Sequence, residues 1–489
     1  MAAERADGFK TTIGLEVHAQ LLTQSKMYCG CSARYADAEP NTHVCPVCLG
    51  LPGALPVLNR AAIEFGLLTG LALDSETPAF CKLDRKNYVY PDLPKGYQIS
   101  QYDLPLCVGG ALAFASGGET VRAGVTRVHV EEDTGRLVHR AGAAGGEVSL
   151  VDLNRSGVPL MEIVGEPDLH SPEEARDYLI ALRQLLRYIG ASTGNMEEGA
   201  FRCDANISIR PVGQTELGAK VEIKNMNSFR AVERALRFEE SRQRAALAGG
   251  ERIEQETRGW DDARGQTLPQ RTKEQAHDYR YFPEPDLPPL AIHAAMVEAV
   301  RARLPELPAA RRQRFASAFG LGPDDAETLT AERAVADVYE AALGAAPTPE
   351  RARATANWLI NDLMGLQRLR GLPPEQLPLS ADQLRDLVDA LAAGELTGRA
   401  AKELLPQIAP GEPPRAAATR LNLLSLDDAG AVRGAAMAAI AALPAAVADY
   451  RGGKTAALGR LIGETIKGTG GRAKPDEVRR LLEELLRDG

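Results

Sequence analysis

Ile13-Gly14-Leu15-Glu16-Val17-His18-Ala19-Gln20-Leu21 sets apolar residues at the odd positions and Glu16, His18 and Gln20 at even ones. A strand sends alternate side chains to opposite faces, so the stretch reads as a half-buried strand holding a carboxylate and an imidazole side by side. A solvent-facing strand would alternate in the same way. What argues for chemistry is that later stretches repeat the format with further acids, amides and bases. A metal-bound phosphate site needs that collection.

The frame around this strand is large. With 489 residues, 44% of them hydrophobic, the chain can bury a sizeable core and is too long for one ordinary domain. Neither an apolar signal core in Met1-Ala2-Ala3-Glu4-Arg5-Ala6-Asp7 nor a long uncharged apolar run is present, so a cytoplasmic protein with no membrane partner is expected. The net charge of −9 argues against indiscriminate nucleic-acid binding and leaves room for a local basic surface. Up to about Pro285 the chain shows short alternating strands, Gly turns and aromatic residues; beyond it Ala, Leu, Arg and Glu recur at helical spacing, as in Glu332 to Leu343 and Ala381 to Ala393. Prolines at 283, 285, 288 and 289, and again at 410, 413 and 414, punctuate the chain. The fold class expected is α+β: a mixed α/β body over residues 1–294, an all-helical middle domain over 295–410, and a small helical tail over 411–489.

Within the body, Cys29-Gly30-Cys31 is followed after thirteen residues by Cys45-Pro46-Val47-Cys48. Two close cysteine pairs in a reducing compartment suit a four-thiolate zinc site; with no open coordination position its role is structural. Cys81, Cys107 and Cys203 have no partner spacing and read as small buried hydrophobes. Lys82 to Gln101 mixes lysines, an arginine and tyrosines in a way that suits phosphate contact and base stacking. In Arg127-Val128-His129-Val130-Glu131-Glu132-Asp133, Arg127, His129 and Glu131 share one strand face and Glu132 falls on the other. Glu162 is a lone acid inside the apolar strand Pro159 to Val164, costly to bury unless paired or metal-bound. Arg202, Asp204, Asn206, Ser208 and Arg210 alternate along one strand, and Lys220, Glu222 and Lys224 along the next; paired, the two would form a polar floor.

Several of these stretches together resemble the B subunit of the tRNA-dependent amidotransferases: Gly14-Leu15-Glu16-Val17-His18, Val44 to Gly53, Arg85-Lys86-Asn87-Tyr88, Tyr97 to Gln101, Glu131-Glu132-Asp133, Glu222-Ile223-Lys224-Asn225 and Asp278 to Pro285, all in order along the chain. The resemblance implies a cradle-like body, a helical domain and a tail that grips tRNA. It implies an enzyme that phosphorylates the side-chain carboxylate of Glu-tRNA(Gln) and/or Asp-tRNA(Asn), after which ammonia displaces the phosphate. By the same resemblance Glu16, His18, Glu132 and Glu162, with Glu131 as the adjacent alternative, hold Mg²⁺ between ATP and substrate, and Lys86 offsets charge on the transferred phosphoryl group. Arg202, Asp204, Asn206 and Lys224 are assigned to orienting nucleotide or the aminoacylated tRNA end.

Gly452-Gly453-Lys454-Thr455 carries the last letters of a P-loop, but the first glycine of that motif is replaced by Ala448 and a helical pattern precedes it. Between Arg451 and Arg480 stand eight bases, among them Arg451, Lys454, Lys467, Arg472 and Lys474, against three acids; the excess suits RNA-backbone contact. No amidase-type serine and lysine pattern and no triad-like cysteine is visible, so ammonia is expected from a separate amidase subunit; the resemblance implies that this is the family's A subunit and that a small C subunit completes the enzyme. Two other readings compete: a non-catalytic tRNA-binding adaptor, and an independent carboxylate–amine ligase.

Overall fold

In chain order the strands are β1 (Phe9–Gln20), β2 (Phe80–Cys81), β3 (Asp84–Asn87), β4 (Tyr97–Ser100), β5 (Cys107–Val108), β6 (Ala111–Ser116), β7 (Glu119–Glu132), β8 (Arg136–Ala141), β9 (Glu147–Asp152), β10 (Pro159–Gly165), β11 (Phe201–Pro211), β12 (Val221–Lys224), β13 (Glu256–Asp261), β14 (Gln266–Pro269), β15 (Phe282–Pro283) and β16 (Leu290–Ala291). Nine of them form one sheet in the order β14-β13-β12-β11-β1-β10-β7-β5, with β6 paired to β7. The computed structural model describes residues 8–141, 146–270, 279–345, 347–426 and 429–487. The first seven residues, Met1 to Asp7, and Asp278 of the last family motif lie outside the described residues.

β1 is central because both faces of its alternation are used. Ile13, Leu15, Val17 and Ala19 are buried against helices on one side, while the even residues face the other. β10 and β11 flank it antiparallel, and β7 lies beyond β10. Three helices cover the apolar side: α1 (Arg60–Ala72), α2 (Pro172–Tyr188) and α3 (Phe229–Ala248). Each starts at a side-chain cap, Asn59, Ser171 and Ser228, which satisfies one of the orphan amides of the first turn. Gly66 and Gly70 let α1 press onto the sheet, since a Cβ at either would collide with Leu106 or Cys107.

The chain divides into two compact units, residues 1–309 and 310–489. Pro283 forms the ladder's edge in β15, where a missing amide is tolerated, and the α/β unit continues beyond it. The second unit is helical. The spacing read at 332–343 becomes Arg333–Leu343, and that at 381–393 becomes Ala381–Ala392, opened by a Ser380–Gln383 capping box. Its apolar residues form two clusters, one from Phe315 to Leu423 and one from Val432 to Leu486. The α+β expectation, mixed sheet first and helices after, is what the molecule shows. Among the described residues no single helix is long and apolar enough to cross a membrane; one pair, Ala429–Ala442 with Pro444–Arg451, reaches that length only through a 90° bend.

Candidate cation and anion site

Antiparallel register explains how residues far apart in sequence meet. His18 lies opposite Arg202 on one side and Glu162 on the other, and Glu162 lies opposite His129. Directly opposed side chains share a face about 5 Å apart, so Arg202, His18, Glu162 and His129 make one row across four strands. The next row holds Asp204, Glu16 and Arg127, and Glu131 follows His129 two residues on along β7.

In this row Glu162 accepts from His129 Nε2 at 2.8 Å and stands 3.3 Å from His18 Nε2; Glu131 lies 3.7 Å from the same imidazole nitrogen. Ser100 Oγ donates to Glu131 at 2.8 Å. The ligand atoms of His18, Glu131 and Glu162 all lie within 4.8 Å of one another. Burial alone would lower the His18 pKa; the Glu162 and Glu131 carboxylates outweigh it and raise it to about 9. Burial would likewise raise the Glu162 pKa, and the two histidines outweigh that and hold it well below the usual carboxylate range. Among the described residues no lysine or arginine pairs with either carboxylate within 4.0 Å. Two buried carboxylates that meet imidazoles and a serine hydroxyl but no paired lysine or arginine leave negative charge that a divalent cation would offset, and the two-carboxylate, one-imidazole set fits Mg²⁺ or Mn²⁺ with positions left for water or phosphate oxygens.

The row lines a cavity of about 770 Å³ that also takes in Glu16, Lys86, Tyr102, Glu222, Lys224, Tyr279 and Tyr281. Asn206 Nδ2 donates to Glu16 Oε1 at 3.0 Å. β11 and β12 do pair, Asn206 opposite Glu222, and Lys224 bridges Asp204 and, at 3.4 Å, Glu222. Arg202 turns toward an adjoining hollow shared with His18, Lys86 and Glu131, where its guanidinium meets Asp133 at 2.9 Å.

Glu132 is the exception, and the placement beside Glu16 and Glu162 is corrected. As the neighbour of Glu131 in a strand it must face the opposite side. There it pairs with Lys95 and accepts from the Ile99 amide at 2.9 Å, in a separate hollow against the cysteine loop.

The four paired cysteines come together, with Cys29, Cys31, Cys45 and Cys48 sulfurs within 4.8 Å of one another. Lys26, wholly buried, donates to the His43 and Leu153 carbonyls and lies 3.6 Å from Cys48 Sγ. Among the described residues no carboxylate pairs with it within 4.0 Å, and the Cys48 sulfur is the group beside it able to carry a compensating negative charge. An ammonium buried in that way fits four thiolates around a divalent metal better than four thiols. Cys81, Cys107 and Cys203 lie in the apolar core.

In the helical unit Arg451, Lys454 and Lys467 are exposed and Arg472 and Lys474 half-buried. Lys454 and Arg460 share Asp449 at 3.1 and 2.7 Å, and Arg472 donates to Asn422 Oδ1. The segment before Gly452 is helix Pro444–Arg451, not the strand a P-loop requires. Sequence reasoning missed Lys26, Lys95, Ser100, Tyr279 and Tyr281 as individual contributors. The run of lysines and tyrosines across 82–101 hinted at the second and third of these, and the family motif at 278–285 spans the last two.

Fold and site together define an α/β body whose sheet face can seat a divalent cation and set a lysine against an anionic group. The GatB/GatE catalytic-domain family model matches residues 11–298, and the GatB domain model matches 337–486. The chain is 57% identical over 479 residues to the B subunit of the aspartyl/glutamyl-tRNA(Asn/Gln) amidotransferase of Thermomicrobium roseum, covering 98% of this chain and 99% of that protein. It is 52% identical over 479 residues to the protein of that name from Moorella thermoacetica, covering 98% of this chain and all of that protein. The chain belongs to the GatB family.

Proposed function

We propose that this chain is the activating subunit of an ATP-dependent, tRNA-dependent amidotransferase. It phosphorylates the side-chain carboxylate of Glu-tRNA(Gln) and/or Asp-tRNA(Asn) and then directs amidation by ammonia. The observation that carries this reading is the cluster of His18, Glu131 and Glu162, whose carboxylates no lysine or arginine among the described residues pairs within 4.0 Å, with Lys86 lining both the cavity that Glu162 faces and the adjoining hollow that Glu131 faces.

A carboxylate is a poor acyl donor until one oxygen becomes a leaving group. A substrate carboxylate oxygen attacks the γ-phosphorus of ATP, the bond to the bridging oxygen breaks, and ADP leaves with that electron pair. Ammonia then attacks the carbonyl carbon of the acyl phosphate; phosphate departs, the nitrogen loses a proton, and the amide remains. Such steps depend on positioning and charge compensation more than on covalent participation. His18, Glu131 and Glu162 would hold Mg²⁺, with Glu16 at their side. Bound there, the ion would polarise phosphoryl oxygens and offset their charge. Lys86 presents an ammonium to the same space, and Asp204, Asn206, Lys224 and Arg202 form the floor that orients nucleotide or the aminoacylated RNA end. Cys29, Cys31, Cys45 and Cys48 would hold a structural Zn²⁺. Arg451, Lys454, Lys467, Arg472 and Lys474 belong to a tRNA-docking tail over 411–489, after a body over 1–294 and a helical domain over 295–410. Ammonia comes from the amidase, or A, subunit, and a small C subunit makes up the rest of a cytoplasmic heterotrimer.

The test is ADP formation by the assembled enzyme given misacylated tRNA, comparing the native chain with Glu162→Gln and Lys86→Met. Loss of ADP formation in both variants, with tRNA binding retained, is the expected result. Unchanged turnover in both would favour the adaptor reading, and amidation of free glutamate without tRNA would favour the independent ligase.

A further inference from the structure

Lys86 stands in front of two buried carboxylates and pairs with neither. Its ammonium lies 4.7 Å from the centroid of the Tyr279 ring and 5.9 Å from that of Tyr88. Among the described residues no carboxylate pairs with it within 4.0 Å, although Glu131 and Glu162 both act on it electrostatically. Burial would lower its pKa; Glu131, Tyr281, Tyr279 and Glu162 outweigh that and push it up, so it remains a cation.

The ring that meets it is held in place by the strand that carries Lys86. β15 pairs with β3, Phe282 opposite Arg85. Asn87 Nδ2 donates to the carbonyls of Tyr279 and Arg280 at 3.1 and 2.9 Å. Arg85 grips the buried Glu284 carboxylate with two nitrogens at 2.7 and 2.8 Å. Arg280 accepts a left-handed φ of 47° to make the turn. Tyr88 meets Tyr279 edge-on at 6.0 Å, Tyr279 meets Tyr281 likewise, and Tyr281 stacks on Tyr102 at 4.4 Å. The strap that carries Tyr279 and Tyr281 is thus tied to β3 through Arg85 and Asn87, the residues on either side of Lys86.

A flexible lysine beside carboxylates that no other lysine or arginine pairs would close an ion pair. That contact would spend the ammonium and occupy the oxygens a cation needs. An aromatic face attracts the ammonium without neutralising it.

We propose that Tyr279, seconded by Tyr88, is a positioning residue that holds the Lys86 ammonium off Glu131 and Glu162, leaving the carboxylates open to a divalent cation and the lysine open to an anionic group. This rests on the cation reading of His18, Glu131 and Glu162. The test is Mn²⁺ binding to the full chain, measured calorimetrically for the native protein, Tyr279→Phe, Tyr279→Leu, Lys86→Met and the double variant Tyr279→Leu/Lys86→Met. Tyr279→Phe keeps the ring face and binds as the native protein does. Tyr279→Leu releases the lysine onto the carboxylates and weakens Mn²⁺ by about tenfold. Removing Lys86 from that background restores Mn²⁺ binding, which a merely structural role for Tyr279 would not allow. In the assembled enzyme Tyr279→Leu lowers kcat for ADP formation and leaves KM for the RNA substrate nearly unchanged. Native-strength Mn²⁺ binding by Tyr279→Leu, or a double variant as weak as Tyr279→Leu, overturns the proposal. A native chain that binds no Mn²⁺ overturns the cation reading itself, and the proposal with it.

Discussion

Glu131 and Glu132 are adjacent, alike in chemistry, and sent to different tasks by the parity of one strand. Glu131 joins His18 and Glu162, whereas Glu132 meets Lys95 beneath the cysteine loop. The alternation in 127–133 already set Glu131 on the side of His129; choosing Glu132 from motif likeness overrode that local geometry. Glu16, His18, Asp204 and Asn206 were legible because each sits at a polar position of an alternating strand, and Glu162 because it is a lone acid inside an apolar one. Lys26 was not, since nothing in its neighbours marks a lysine that will be wholly buried. Two outcomes follow at this scale. Glu131→Gln and Glu162→Gln should each weaken divalent-cation binding by about 10–100-fold, read by calorimetry. Glu132→Gln should leave cation affinity at the native level while costing about 3 kcal/mol of stability, because Lys95 then stays buried without its partner. Equal loss of cation binding in all three would contradict the placement.

Elements show where sequence reading thins out. Amphipathic helices such as Arg333–Leu343 and Ala381–Ala392 are local, so spacing and caps announce them. The strap formed by Tyr279 to Asp286 is not local, because it gains meaning only by pairing with β3 nearly two hundred residues earlier. The cysteine loop is intermediate: the four sulfurs were legible from spacing, but the ammonium beside them was not. Lys26→Met should lower retention of Zn²⁺ loaded at the four cysteines by about tenfold against a chelator, with Lys26→Arg less affected. Equal retention in Lys26→Met and the native chain would show that the ammonium does not serve the sulfurs. In the helical unit Glu340 clasps Arg314 at 2.6 Å and Arg311 at 2.9 Å. Burial would raise its pKa, and the two arginines outweigh that and hold it below 4.5. A depressed carboxylate contributes its stability in full above its unfolded value and loses it as pH falls through the folded one. Glu340→Gln should therefore unfold at lower denaturant than the native chain at pH 7, by about 1–2 kcal/mol, with the gap closing below about pH 4. A gap that stays constant from pH 7 to pH 3 would rule the clasp out as its source.

At the scale of the whole molecule, a chain of net charge −9 keeps a basic stretch at its helical end. Several of its bases already share acids, Lys454 and Arg460 with Asp449 and Lys467 with Glu464. Exposed pairs of this kind are weak enough for a phosphate backbone to displace. Lys454→Glu combined with Lys467→Glu should weaken tRNA binding alike for either acylated tRNA and reduce the salt slope by about two, measured by titration at several salt concentrations. An unchanged slope would place the RNA elsewhere.

The central claim is that strand register gathers His18, Glu131 and Glu162 around one divalent ion. Anomalous diffraction from crystals of the full chain grown with Mn²⁺ tests it most directly. The prediction is a single strong peak within coordination distance of those three side chains, with Glu132 away from it on the opposite face of the sheet. A peak ligated by Glu132, or none at the three residues when the metal is present in excess, would contradict it.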